Sequence, residues 1–288
     1  MLPGMAKKPS IVIVGAGNLA TALASSLRGA GYRIEAVIGR AKGKSRTRAR
    51  ELATRVGARA ASDAIGLKSR ILWLCVPDGE IARASVVLAD TFDGAGKIAL
   101  HSSGALGSDE LQPLKGKGAA VASVHPLMTF VKGSASSFEG VPFAIEGDAV
   151  AVHVARGVVR DLGGDAYTIF KAEKNAYHAW GTFASPLLTA LLATTEQVAE
   201  LAGVKRRAAR QRMLPILLRT VQNYGNLGAG KGFSGPIVRG DVETVRRHLE
   251  VLRQSPVSRR VYLALARAAV EYLPGKNKAV LKRLLESE

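Results

Sequence analysis

The chain has 288 residues, with 41 Lys+Arg against 23 Asp+Glu for a formal charge of +18. That length buries a core without covalent staples and suggests two domains at about 150 residues each, while the lone cysteine, Cys75, excludes a disulfide framework and a cysteine-rich zinc site. Apolar residues at 47% and charged residues at 22% exclude a disordered chain; the charge balance fits a solvated basic surface first, and such a surface attracts anions, whether phosphorylated compounds, nucleic acid or anionic membranes.

In chain order, Ile11 to Val14 is an all-apolar, β-branched run of the kind that forms a strand buried on both faces. A glycine turn follows, then Asn18 to Arg28 at helical period. Arg33 to Ile38 reads as a strand and Arg46 to Val56 as a helix. Arg70 to Val76 is a third strand, ended by Pro77, and Glu80 to Ala89 a helix. Lys97 to Leu100 is a strand, Ser108 to Leu114 a short helix, and Val121 to Val124 a strand. Val141–Ile145, Ala149–Leu162 and Ala166–Phe170 complete the half as strand, helix and strand.

Such alternation predicts a parallel sheet in a doubly wound α/β domain over residues 8–170. From 171 to 288 the composition turns to Ala, Leu and Arg, and Lys174–Leu201, Arg206–Leu227, Val242–Arg253, Ser258–Tyr272 and Lys276–Leu285 all carry helical period. The second domain is therefore expected to be all-helical. Pro186 predicts a kink in its first helix, Gly228 to Asp241 a long glycine-rich loop, and Asp241 a helix cap. No apolar run approaches the ~18 residues of a spanning helix, so a cytoplasmic protein is expected.

Gly15-Ala16-Gly17-Asn18-Leu19-Ala20 fits G-x-G-x-x-A between a strand and a helix, the context of a dinucleotide-binding turn. Gly15 permits the tight turn, Gly17 lets the backbone approach a pyrophosphate, and the free N–H groups at Asn18 and Leu19 face the phosphates. After the second strand an NAD site places a carboxylate. Here the sequence runs Gly39-Arg40-Ala41-Lys42-Gly43-Lys44-Ser45-Arg46, a cationic cluster with no acid nearby and Glu35 too early. Arg40, Lys42 and Ser45 suit a 2′-phosphate, so NADP is expected. Ligands in such sheets sit at the carboxyl ends of the strands. Those ends read Val76-Pro77-Asp78, His101-Ser102-Ser103-Gly104 and His125-Pro126-Leu127.

Lys174, His178, Gly181 and Ser185 are spaced 4, 3 and 4 and share one helix face. Lys174 and His178 are candidates to polarise a carbonyl and supply a proton, with Gly181 leaving room for a ligand. The alternative is a solvated Lys174 and a packed His178. Ser103, His125, Ser185 and Arg239 are candidate substrate contacts, Val76, Pro77 and Ser102 candidate cofactor contacts, and no metal site is expected.

GAGNLATALA, LCVPDGEI, HSSGALGSDEL, VHPLMTF, KNAYHAWGTFAS and SGPIVRGDVETVRRHL together resemble the Rossmann-like proteins whose C-terminal half is classed as domain of unknown function 2520. The resemblance runs from Ser10 to about Arg253. That family is similar in architecture to ketopantoate reductases, pyrroline-5-carboxylate reductases and β-hydroxyacid dehydrogenases. The resemblance implies an NADP(H)-dependent oxidoreductase with a helical domain that forms a homodimer and covers the cleft. It matches Lys174 to a lysine that some of those relatives use, with His178 where they place an Asn, and it leaves the substrate open, a ketopantoate-like 2-oxo acid being the first candidate. A non-catalytic NADP(H)-binding sensor is the alternative. A nucleic-acid-binding role rests on charge alone, because aromatics are only 5% and no stacking motif is present.

Overall fold

The computed structural model describes residues 8–132 and 137–288. It divides into two compact units that part between Thr182 and Phe183.

The first unit is built on one eight-stranded sheet in the order β3-β2-β1-β4-β5-β6-β7-β8. Its strands are β1 (Ile11–Val14), β2 (Ile34–Ile38), β3 (Arg59–Ala61), β4 (Ile71–Leu74), β5 (Ile98–His101), β6 (Ala120–Pro126), β7 (Pro142–Gly147) and β8 (Asp165–Thr168). Helices α1 (Asn18–Gly29), α2 (Gly43–Val56), α3 (Asp78–Ala89), α4 (Gln112–Lys115) and α5 (Ala149–Asp161) connect them, a 3-10 turn at Ser108–Leu111 leading into α4. The strand order reverses between β1 and β4, the doubly wound arrangement with its switch point beside the first strand.

The apolar runs are explained by the pleat. Ile11, Ile13, Ile71 and Trp73 point to one face, against Leu23 and Leu27 of α1, Leu52 of α2 and Val158 of α5. Val12, Val14, Leu72 and Leu74 point to the other, against Ile81 and Leu88 of α3 and Leu114 of α4. Alternate residues of one strand thus feed two separate cores, which leaves no position for a polar side chain.

The sheet is not wholly parallel, as the alternation predicted. β7 pairs antiparallel with β6, Val124 opposite Ile145, and β8 returns parallel to β7. The 3.6/2.0 alternation that marks strands and helices carries no strand direction, so this reversal is invisible to it. β3 was also missed: its three residues are Arg-Ala-Ala, with no β-branched side chain.

Helix α6 (Lys174–Thr182) follows β8 and still belongs to the first unit, because Lys174 and Tyr177 are buried there. The expected break at Pro186 is a five-residue π turn, Phe183–Leu187. The second unit continues with α7 (Leu188–Leu201), α8 (Arg206–Gly232), α9 (Pro236–Arg239), α10 (Val242–Val251), α11 (Pro256–Tyr272) and α12 (Lys278–Glu286). Val245 and Leu249 of α10, Leu263, Ala266 and Val270 of α11, and Leu281 and Leu285 of α12 form its core. The stretch from Gly228 to Asp241 is not the expected open loop. Gly228 interrupts α8 at φ +73, a short helical turn follows, and Pro236 starts α9. Asp241 caps α10 as expected, accepting the Thr244 N–H at 3.1 Å. Among the described residues no single helix is long and apolar enough to cross a membrane; Lys171–Leu201 and Arg206–Arg239 reach that length and apolarity only as a pair bent by 116°.

Candidate functional site

The turn after β1 has the geometry that a phosphate turn requires. Gly15 sits at φ +103, and a Cβ there would stand 2.6 Å from the Cys75 carbonyl oxygen. Gly17 is the N-cap of α1 with no side chain capping it, and a Cβ at Gly17 would meet nothing within 4 Å. Ala20 is fully buried against the sheet. The opening N–H groups of α1 therefore face open space with the helix dipole behind them. Leu19 contributes only backbone there, since its side chain packs on the core. The Asn18 amide reaches across to donate to the Phe130 carbonyl at 3.1 Å.

Beside this turn, at the carboxyl ends of β2 and β3, lies a cavity of about 610 Å³ lined by Arg40, Arg46, Arg50, Arg59, Ser62 and Asp63. Arg46 and Arg50 are one turn apart on α2 and present their guanidinium groups together. The Ser45 hydroxyl accepts the Arg40 N–H at 3.0 Å, which leaves its O–H to donate. The sequence showed no acid near Arg40, but in space Glu80 of α3 lies 3.4 Å from it. Glu35, set aside in the sequence as too early, is spent elsewhere, accepting the Lys68 N–H and the Ser69 hydroxyl. Lys42 is exposed at the N-cap of α2.

The segment from His101 to Ser108 is a self-bonded loop. His101 donates from Nε2 to the Gly107 carbonyl at 2.9 Å and accepts the Ser103 N–H on Nδ1 at 3.1 Å. This fixes a neutral ring, and burial pushes its pKa down to about 4. Ser103 is buried, its hydroxyl accepting the Ala105 and Leu106 N–H groups. Ser108 gives its N–H and its hydroxyl to the buried Glu146 carboxylate at 2.6 and 2.9 Å. Ser102 is half-buried and accepts the Trp73 indole N–H at 2.8 Å. Val76 packs partly into the core, while Pro77 is exposed at the N-cap of α3.

Lys174 is neither solvated nor presented to a ligand. It is 1% exposed, and its ammonium donates to Ser123 Oγ at 2.7 Å and to the Ser103 carbonyl at 3.1 Å. Burial lowers its pKa, opposed by attraction to Glu146 and Asp78. Ser103 is likewise buried, at 3% exposure. For Lys174 the reason is that helical spacing fixes angles between residues but not which side of the helix faces inward; for Ser103 it is that the loop after β5 folds back on itself.

The polar groups that do open at the sheet edge are His125, on β6, and His178, on α6. His125 Nδ1 lies 2.7 Å from the Tyr177 hydroxyl, and the His125 and His178 rings stand 6.2 Å apart, edge to face. Both rings border Gly104, where a Cβ would come within 2.7 Å of His178 Cδ2 and 2.9 Å of His125 Nε2. Gly181, expected to leave space for a ligand, instead lets α6 close on the sheet, since its Cβ would meet Leu127 Cδ1 at 3.1 Å. Tyr177 was missed in the sequence, where an aromatic at helical spacing reads as core. Arg50 and Arg59 were also missed, although the four-residue spacing of Arg50 from Arg46 was visible. In the second unit Ser185 lies in the π turn, its carbonyl accepting the Thr189 hydroxyl, and Arg239 is exposed at the end of α9.

The Rossmann-like domain family matches residues 5–126, and the domain of unknown function DUF2520 matches residues 141–269. None of the curated proteins matches the sequence. Among solved structures the chain is similar to a proposed NADP oxidoreductase from Bacteroides fragilis, at 23% identity, TM-score 0.76, and 91% and 98% of the two chains covered. It is also similar to an imine reductase from a Pseudomonas species, at 20% identity, TM-score 0.63, with 91% and 93% covered. A pyrroline carboxylate reductase from Plasmodium falciparum, solved with NADP bound, matches at 12% identity, TM-score 0.60, with 97% and 99% covered. At these identities the likeness establishes the fold. The two matches lie in tandem, the Rossmann-like model on the first half and the DUF2520 model on the second.

Proposed function

We propose that this chain is an NADP(H)-dependent oxidoreductase acting on a carbonyl or imine of a small anionic substrate. One observation carries the reading: an uncapped phosphate turn at Gly15 to Leu19 lies beside an arginine-lined cavity with room for a phosphorylated ribose. A pyrophosphate fits the open start of α1. A 2′-phosphate fits among Arg40, Arg46, Arg50 and Arg59, with Lys42 and the Ser45 hydroxyl as further donors. The nicotinamide half would extend towards Val76, Pro77 and Ser102. A bound reduced nicotinamide supplies a hydride; the residues of this chain orient the substrate and manage charge and proton.

Lys174 acts from inside, fixing Ser103 and Ser123 and placing a positive charge behind the His125 ring. His178, exposed, exchanges protons with solvent. Ser185 and Arg239 are proposed substrate contacts, and a ketopantoate-like 2-oxo acid remains the first candidate. The burial of Lys174 and Ser103 favours one competing reading, a non-catalytic NADP(H) sensor. A thermal-shift panel separates them from failure of both. NADPH at about 100 times its Kd should stabilise the chain by about 2.7 kcal/mol, and NADH at the same concentration by less. No stabilisation by either dinucleotide refutes the proposal, and binding without NADPH oxidation across a panel of oxo acids and imines leaves the sensor.

A homodimer is part of the proposal. Up to the break at Gly228, α8 runs about 33 Å, yet Ala209 is its only buried residue, and Leu214, Ile216, Leu218, Val221, Tyr224 and Leu227 are exposed. Apolar side chains all round a helix demand cover on several sides. Arg219, Gln222, Asn223 and Asn226 among them suit a protein interface better than lipid. The strip is on the order of the ~800 Å² per partner of a stable association. Ile216→Glu with Leu218→Glu should convert a dimer to a monomer in sedimentation; a wild-type monomer at about 50 µM would overturn this part.

A further inference from the structure

Four arginines line the cavity beside the Gly15 turn, and they are not equally free. Among the described residues Arg46 and Arg50 form no ion pair, and Arg59 gives an N–H to the Ile65 carbonyl at 3.3 Å. The acid in the cavity wall, Asp63, is turned to its own loop. It accepts the Ile65 N–H at 3.0 Å and the Ser62 hydroxyl at 3.2 Å. Arg40 is the arginine of this group that already meets a carboxylate. Its guanidinium lies 3.4 Å from that of Glu80, on α3.

Arg40 stands just after β2, and Glu80 in the first turn of α3, which follows β4. In the sheet β1 lies between β2 and β4, so the pair reaches across the carboxyl end of β1, where the Gly15 turn begins. A dinucleotide with its pyrophosphate on that turn and a 2′-phosphate in the cavity draws on an arginine that α3 already engages.

The pair is able to exchange partners. Its side chains are 67% and 34% exposed, for Arg40 and Glu80 respectively, so the attraction is that of a surface pair, small and screened by solvent. Arg83, one turn along α3, lies 3.9 Å from the same Glu80 oxygen. When Arg40 leaves, Glu80 keeps a partner on its own helix. A phosphate dianion offers the guanidinium a stronger, bidentate acceptor than a carboxylate shared with a second arginine. A 2′-hydroxyl carries no charge to draw Arg40 away.

We propose that Glu80 is a specificity-determining residue of the cofactor site, a latch that holds Arg40 across the end of β1 and that a 2′-phosphate releases. The proposal rests on the NADP(H) reading and deepens it. Opening the latch costs part of the attraction between the phosphate and Arg40. Glu80 therefore keeps the affinity for 2′-phosphorylated nucleotides below what the four arginines would give without it. Nucleotides with a free 2′-hydroxyl leave the latch closed and bind without that cost. The effect of Glu80 is thus to narrow the gap between NADP(H) and NAD(H). It acts through Arg40, as a positioning residue.

The test is calorimetry on the full chain with 2′,5′-ADP and, separately, 5′-AMP, at one ionic strength. Glu80→Gln keeps the shape of the side chain and removes its charge. It should tighten 2′,5′-ADP about three- to fivefold, the worth of a surface ion pair, and change 5′-AMP by less than about twofold. In an Arg40→Ala background the same substitution should change 2′,5′-ADP by less than about twofold, because the latch has nothing left to hold. A merely structural Glu80 would not give a gain that is confined to the phosphorylated ligand and depends on Arg40. Affinity for 2′,5′-ADP that is unchanged or weakened in Glu80→Gln, an equal gain for 5′-AMP, or a gain that persists without Arg40 each overturns the proposal. A wild-type chain that binds the two nucleotides equally is a separate result, which removes the 2′-phosphate site and the latch with it.

Discussion

His101 is fully buried, bonded through both ring nitrogens, and held neutral with a pKa near 4 against an ordinary 6.5. Between those two values the unfolded chain binds a proton that the folded chain refuses. Stability therefore falls as pH drops, by up to 1.4 kcal/mol per pH unit for this one group. From about pH 7.5 to pH 4.5 the loss from His101 integrates to about 2.5 kcal/mol. His101→Gln keeps a donor towards the Gly107 carbonyl but has nothing to protonate. It should cost about 1–3 kcal/mol at pH 7.5, since the Ser103 N–H loses its acceptor, and it should then lose about 2.5 kcal/mol less than wild type on acidification. Urea unfolding of both proteins at the two pH values measures the difference directly. Parallel pH dependence in variant and wild type, or an NMR titration of His101 near 6.5, would refute the reasoning.

The two glycines of the phosphate turn should part company. Gly15→Ala forces a Cβ into the Cys75 carbonyl at a positive φ and should destabilise the fold by about 2 kcal/mol or more in urea unfolding. A Cβ at Gly17 meets nothing within 4 Å, so Gly17→Val should cost only about 1 kcal/mol, the loss of a favoured N-cap residue, while calorimetry detects no dinucleotide binding. Arg46→Ala together with Arg50→Ala should weaken NADPH at least about tenfold and leave NADH nearly unchanged.

The sheet's interior was legible because burial on both faces admits only apolar residues: Ile11 to Val14 and Ile71 to Leu74 can hardly be anything else. The glycine turn after β1 was legible for a related reason, since Gly15 at φ +103 answers to backbone geometry that no side chain satisfies. What escaped was whatever depends on three-dimensional pairing. Glu80 approaches Arg40, in the loop after β2, from helix α3. The His125 and Tyr177 pair joins residues 52 positions apart. Lys174 and His178 share a helix stripe in sequence, but one is sealed against Ser123 and the other exposed. In the Gly228 to Asp241 stretch, glycine counting predicted a loop, while Pro236 at the first turn and Gly240 at φ +67 define a short helix.

The central claim is that the arginine cavity beside the Gly15 turn is a 2′-phosphate site. Its most direct measurement is the affinity of the full chain for 2′,5′-ADP against that for 5′-AMP, at one ionic strength. The account predicts at least a tenfold preference for 2′,5′-ADP, abolished by Arg46→Ala with Arg50→Ala. Equal affinities, or a preference that survives loss of both arginines, would contradict it.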